Sequence, residues 1–145
     1  MKPWTSNHGN IAYTGGTPSH SALDNVSIVL VEPSSPGNVG SVARVLKNTG
    51  IGSLRLVNPG EWDVPEARLM AHGAGDILDR ATEFPDLAAA THESNLVIGT
   101  THRDGRMREI NDSYRQTIAT AFEHARSHSL SIVFGRERDG LWTDE

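Results

Sequence analysis

Asn38, Ser41, Arg44 and Asn48 are spaced as polar residues of one helix, just after an apolar run from Val26 to Val31. A second polar group, Gly135-Arg136-Glu137, directly follows the apolar run Leu130–Phe134. These residue types can do definite chemistry. A guanidinium such as Arg44 clamps a phosphate or stabilises developing negative charge. It is a poor literal base, because its pKa exceeds about 12. A carboxylate such as Glu137, between Arg136 and Arg138, stays ionised and can fix a basic group. Gly135 at a strand end lets a ligand approach the backbone closely. The same residues also fit a plainer reading, in which Arg44 and Asn48 are solvated on an ordinary helix and residues 135–140 form a charged surface turn.

Other chemistries find less support. The phosphate-loop pattern G-x-x-x-x-G-K-[ST] is absent, since Gly40 is followed by Ser41, and no G-x-G-x-x-G is in phase. There is no G-x-S-x-G elbow for a hydrolase triad. His124 and His128 lie four apart on a helical stretch and could pair as metal ligands. They lack the H-E-x-x-H glutamate and a third ligand, so no metal is expected and solvated helix histidines are the simpler account. The absence of cysteine excludes disulfides, thiolate catalysis and Cys-ligated zinc, and suits a reducing cytoplasm.

These groups need elements to hold them. Val26–Glu32 reads as a buried strand, and Pro33–Gly37 as a loop. Val39, Val42, Ala43 and Leu46 recur at i, i+3, i+4 and i+7, which predicts a helix over Asn38–Thr49 with Gly50 as its left-handed cap. Ser53–Val57 is a second strand, stopped by Asn58-Pro59-Gly60. Val64–His72 and Asp76–Arg80 read as helical, Ala81–Phe84 as a weak strand and Asp86–Thr91 as a short helix. Asn95–Gly99 is a fourth strand, Thr100–Ser113 a polar loop, Tyr114–His128 a helix and Leu130–Phe134 a fifth strand. Short apolar strands alternating with helices predict an α/β fold, a parallel sheet flanked by helices. The loops after the strands, Pro33–Arg44, Asn58–Trp62, Thr100–Arg108 and Gly135–Gly140, are where a ligand would bind.

The length of 145 residues allows one domain with a real core. Residues 1–24, rich in Gly, Ser, Thr, Asn and Pro, read as a flexible leader before a domain over 25–145. No apolar run reaches 18 residues, so no membrane helix is expected, and no signal peptide is evident. A net charge of −5 argues mildly against a surface that binds nucleic acid everywhere. It leaves room for a local basic group, Arg103, Arg106 and Arg108, which could equally be a solvated loop.

The order N-x-G-x-x-A-R-x-x-K-N-x-G over Asn38–Gly50, then V-N-P, then G-T-T after a strand, then V-F-G-R-E-x-x-G-L, closely resembles the SpoU (TrmH) branch of the SPOUT RNA methyltransferases, most of all the TrmJ type. The resemblance runs from about Val26 to Glu145. It implies an α/β-knot domain of the SPOUT type, a homodimer, S-adenosylmethionine as cofactor, and methyl transfer to a ribose 2′-hydroxyl of RNA, with tRNA favoured over rRNA. It implies that Arg44, Asn38 and Glu137 are catalytic; the chemistry of these groups favours electrostatic positioning for Arg44, with Glu137 orienting Arg44 or its neighbour. Thr100, Thr101, His102 and Gly135 would contact the cofactor, and Arg103, Arg106 and Arg108 the RNA. The family's third motif, S-L-N-x-[SA]-x-A, does not occur in these 145 residues. The knot segment is therefore expected to be missing, and the chain alone to bind cofactor weakly and transfer no methyl group. On that account a non-catalytic RNA-binding or dimerisation fragment is the alternative.

Overall fold

A computed structural model describes residues 21–100 and 114–142. Five parallel strands form one sheet: β1 (Val26–Val31), β2 (Ser53–Val57), β3 (Thr82–Phe84), β4 (Leu96–Thr100) and β5 (Leu130–Phe134). Their order is β3-β2-β1-β5-β4. The chain thus builds outward from β1 to β3, crosses to β4 at the other edge, and returns to β5 beside β1. Val26 pairs with Leu130 and Leu30 with Phe134. The carboxyl ends of β1 and β5 are therefore neighbours at the point where the winding reverses, which is where open α/β sheets bind ligands.

Helices cover both faces: α1 (Pro36–Thr49), α2 (Pro65–Ala71), α3 (Gly75–Asp79), α4 (Leu87–Thr91) and α5 (Tyr114–Ala125). Val26, Ile28 and Leu30 of β1 point into a core shared with Val39, Ala43 and Leu46 of α1, Ala67 and Ala71 of α2, Ile77 and Leu78 of α3 and Ala121 and Ala125 of α5. Val29 and Val31 point the other way, to Val57, Val133 and Ala90 of α4. All six residues of β1 are buried, as a strand covered on both faces requires. Among the described residues no helix is long and apolar enough to cross a membrane.

Two boundaries differ from the sequence reading in ways that matter. Helix α1 starts at Pro36, inside the segment read as loop. Ser35 caps it, its hydroxyl accepting from the Asn38 N–H, and Pro36 takes the first helical position, where its missing N–H costs nothing. Asn38 is thereby the third residue of the helix rather than its first. The stretch read as leader also ends in structure: Ser21 caps a 3-10 turn, Ala22–Asn25, with Asp24 completing the reciprocal box. The Gly50 cap is as expected, with φ of 85°.

Candidate active site

The loop after β1 and the loop after β5 meet through one carboxylate. Glu137 accepts from the Ser34 N–H at 3.2 and 3.1 Å, from the Ser34 hydroxyl at 2.9 Å, from the Ser35 N–H at 3.3 Å and from the Asn38 side-chain amide at 3.3 Å. Burial alone would raise the carboxyl pKa. These donors, together with its own backbone N–H, outweigh burial and lower it to about 2. Glu137 is thus ionised at neutral pH, and both of its oxygens are engaged.

The neighbouring residue makes a second tie. Arg136 donates to Glu32 at 2.7 Å, and its side chain is only 9% exposed. The hydrogen bond from Arg136, reinforced by its charge and by Asn58, holds the Glu32 carboxyl below its ordinary range against a desolvation cost. The guanidinium also lies 3.5 Å from the centroid of the Trp142 ring. Between the two anchors the backbone closes a hairpin, with Arg136 and Gly140 exchanging N–H···O bonds of 3.1 and 2.9 Å. Gly140 has φ of 69°, and a Cβ on Gly135 would fall on the backbone of Gly140 and Leu141. Gly135 is required here by the chain's own turn.

The structure brings together Asn38 and Glu137 but not Arg44. Arg44 is exposed on α1 and makes no hydrogen bond or ion pair among the described residues. Of the two expected roles for Glu137, orienting Arg44 or its neighbour, no bond to Arg44 forms, and the carboxylate bonds Ser34, Ser35 and Asn38 instead. The reason is helical geometry: Arg44 lies six positions after Asn38, a rise of about 9 Å, and the two project about 120° apart. Thr100 and Gly135 do lie side by side, because Thr100 pairs with Phe134 at the ends of β4 and β5. Thr100 is the last residue of β4, its hydroxyl donating to the Val133 carbonyl at 3.1 Å. Thr101, His102, Arg103, Arg106 and Arg108 lie outside the described residues.

Sequence reasoning missed Ser34, Ser35 and Glu32. Ser-Ser before Pro-Gly was the available signal: serine before a helical proline is a cap, and its neighbours' N–H groups then point together. His124 and His128 stack with ring centroids 4.7 Å apart, and no group of three potential metal ligands occurs among the described residues.

The ionised Glu137 has a consequence for acid stability. A carboxyl group whose folded pKa is lowered adds stability above its unfolded value and loses it as pH falls through the folded value. Wild type should therefore exceed Glu137→Gln in stability above pH about 4.5. The difference should vanish as pH falls towards 2. The residue is exposed, so solvent screening keeps the difference small. Urea unfolding of both proteins across this range checks it, and a gap that widens with acid would contradict it.

Residues 25–145 match the SpoU rRNA Methylase family. The chain is 41% identical over 123 residues to the tRNA (cytidine/uridine-2′-O-)-methyltransferase TrmJ of Pectobacterium atrosepticum, covering 85% of this chain and 51% of that protein. Among solved structures, a probable methyltransferase from Bordetella pertussis superposes with a TM-score of 0.77 at 35% identity, covering 85% of this chain and 76% of the other. TrmJ from Z. mobilis superposes with a TM-score of 0.69 at 36% identity, covering 81% and 52%. The chain spans about half the length of the curated relatives it matches.

Proposed function

The chain belongs to the SpoU rRNA methylase family, and from that premise we propose that it is an S-adenosylmethionine-dependent ribose 2′-O-methyltransferase acting on tRNA. The observation that carries this reading is the Glu137 carboxylate, which joins the loops after β1 and β5 and fixes Asn38 where the winding of the sheet reverses.

The described residues at the ends of β4 and β5 fit the cofactor. Thr100, Phe134 and Gly135 are adjacent there, and Phe134 is left 42% exposed. A hydroxyl, an aromatic face and a glycine backbone, with no charge among them, suit an adenosyl group. We place the cofactor against Thr100 and Gly135, with Thr101 and His102, next in sequence, as further contacts.

When bound, S-adenosylmethionine supplies an electrophilic methyl group. The chain's own residues do the rest. A carboxylate only accepts, so the Asn38 NH₂ faces Glu137 and its amide oxygen is left to accept from substrate. Glu137, ionised with both oxygens engaged, orients Asn38 and moves no proton. Arg44, exposed and without a partner among the described residues, can meet a phosphate or the developing oxyanion of a 2′-hydroxyl. A substrate phosphate then takes the hydroxyl proton. Mass spectrometry of tRNA nucleosides from cells with and without the gene tests the reading. A 2′-O-methylated nucleoside should disappear with the gene, and an unchanged ribose-methylation profile would refute it.

Arg103, Arg106 and Arg108 supply RNA phosphate contacts in this reading. Replacing all three by Ala should flatten the fall of log affinity with log salt by about 0.7 per lost contact on single-stranded RNA. An unchanged slope would place the phosphate contacts elsewhere. The protein would act as a homodimer in the cytoplasm, where tRNA is modified. Val45, Leu69 and Met70 are exposed on the packed pair α1 and α2 at 58%, 70% and 41% and offer apolar area to a second copy. Sedimentation equilibrium should give twice the chain mass, and a monomer at micromolar concentration would contradict it.

A further inference from the structure

On the α4 side of the sheet, next to the Glu32–Arg136 tie, lies a cleft of about 610 Å³ that methyl transfer as described leaves unused. Leu87 of α4 and Val97 of β4 give it apolar lining, Asn58 and Asp86 are polar, and Arg136 and Trp142 also line it. This size, with apolar walls and a few polar groups, is that of a small-molecule site. Trp142 is 50% exposed. Arg136 lies over its ring at 3.5 Å and is itself held by Glu32 at 2.7 Å, so the indole is a supported flat surface rather than a loose side chain. Asp86 spends Oδ1 on the Ala89 N–H at 2.7 Å, capping α4. A carboxylate has about four acceptor positions, so Asp86 retains capacity towards the cleft.

We propose that this cleft binds an unstacked base of single-stranded RNA, with the base lying on Trp142 and its exocyclic amino group donating to Asp86. A flat aromatic backed by a guanidinium is the surface on which unpaired bases stack. A carboxylate accepts from the cytosine amino group, whereas the carbonyls flanking the uracil N3–H repel it. The Glu32 charge is neutralised by Arg136, and the Asp86 carboxylate repels a phosphate, so the base enters and its phosphate stays outside. The inference rests on the RNA reading for its partner, but it concerns binding alone and needs neither cofactor nor turnover.

The test is fluorescence anisotropy of labelled oligocytidylate and oligouridylate hexamers with the purified protein, at 50 and 200 mM salt and without cofactor. Wild type is expected to bind the cytidine hexamer more tightly. Trp142→Leu should weaken binding about tenfold, the scale of one lost base–aromatic stack, and by the same factor at both salt concentrations. Trp142→Phe keeps a stacking face and should retain most of the affinity. Asp86→Asn preserves the helix cap and should abolish the preference for cytidine. Unchanged affinity in Trp142→Leu, or a loss that disappears at high salt, overturns the cleft assignment and leaves the methyltransferase reading standing. Cytidine preference surviving in Asp86→Asn overturns the role of Asp86. Wild type that binds neither hexamer overturns the inference together with the RNA partner it rests on.

Discussion

In a protein that carries the family's third motif as well, Arg44→Ala is expected to lower methyl transfer to tRNA on the order of a hundredfold or more, with S-adenosylmethionine affinity nearly unchanged. The magnitude is that of removing one preorganised group from a developing oxyanion. A contact made mainly in the transition state appears in turnover, and in kcat/KM to the same extent, rather than in cofactor binding. The structure adds a control that most active-site substitutions lack. Arg44 is exposed and holds nothing else in place among the described residues. The variant should therefore melt within about 0.5 kcal/mol of wild type, as surface changes do. Arg44→Lys keeps the charge but loses the planar fork, and should recover only part of the activity. Single-turnover methyl transfer with unmodified tRNA, alongside calorimetric titration of the cofactor, measures both quantities. Near-normal turnover in Arg44→Ala would remove Arg44 from the mechanism.

Gly40→Ala should destabilise the domain by about 3 kcal/mol, at the upper end of ordinary overpacking. Glycine at this point lets α1 and α2 touch: a Cβ would land on the backbone carbonyl of Ala67, itself fully buried. Backbone cannot rotate away as a flexible side chain can, so the helices must separate and the core between them must open. Propensity works in the opposite direction, since Ala is favoured over Gly in a helix interior by about 1 kcal/mol. A net loss thus isolates the packing term. Gly52→Ala is the matched control, because nothing lies within 4 Å of the added carbon. Thermal melting should show a drop of roughly 10 °C for the first variant and little change for the second. Equal melting temperatures would show that the close α1–α2 contact does not hold in solution.

The Gly40 case also shows why a motif residue can be visible in sequence while its reason is not. Gly40 stands between Asn38 and Arg44, where a close approach by ligand is the natural guess. The structure uses it for a helix–helix contact with Ala67, nearly thirty residues away along the chain. Gly135 is similar, since its lack of a side chain serves the hairpin closed by Gly140.

The sequence by itself determined the periodic parts of this protein. Six consecutive apolar or small residues in β1, the i, i+3, i+4, i+7 stripe of α1 and the Gly50 cap are local patterns, and each appears where expected. Alternation of such units implied a parallel sheet with helices on both faces, because a strand with apolar residues pointing to both sides must be covered twice. The ordered motifs around Asn38, Arg44 and Glu137 pointed to the family. Tertiary structure alone decided what those residues touch. Strand order places β5 beside β1, and so brings Glu137 to Ser34, Ser35 and Asn38 across about a hundred residues of chain. Helical phase turns Arg44 away from that carboxylate and into solvent. Spacing along a chain fixes the phase of a helix or strand, but it carries no information on which strand ends will be neighbours. That is set by the burial of both sheet faces at once, a property of the whole core.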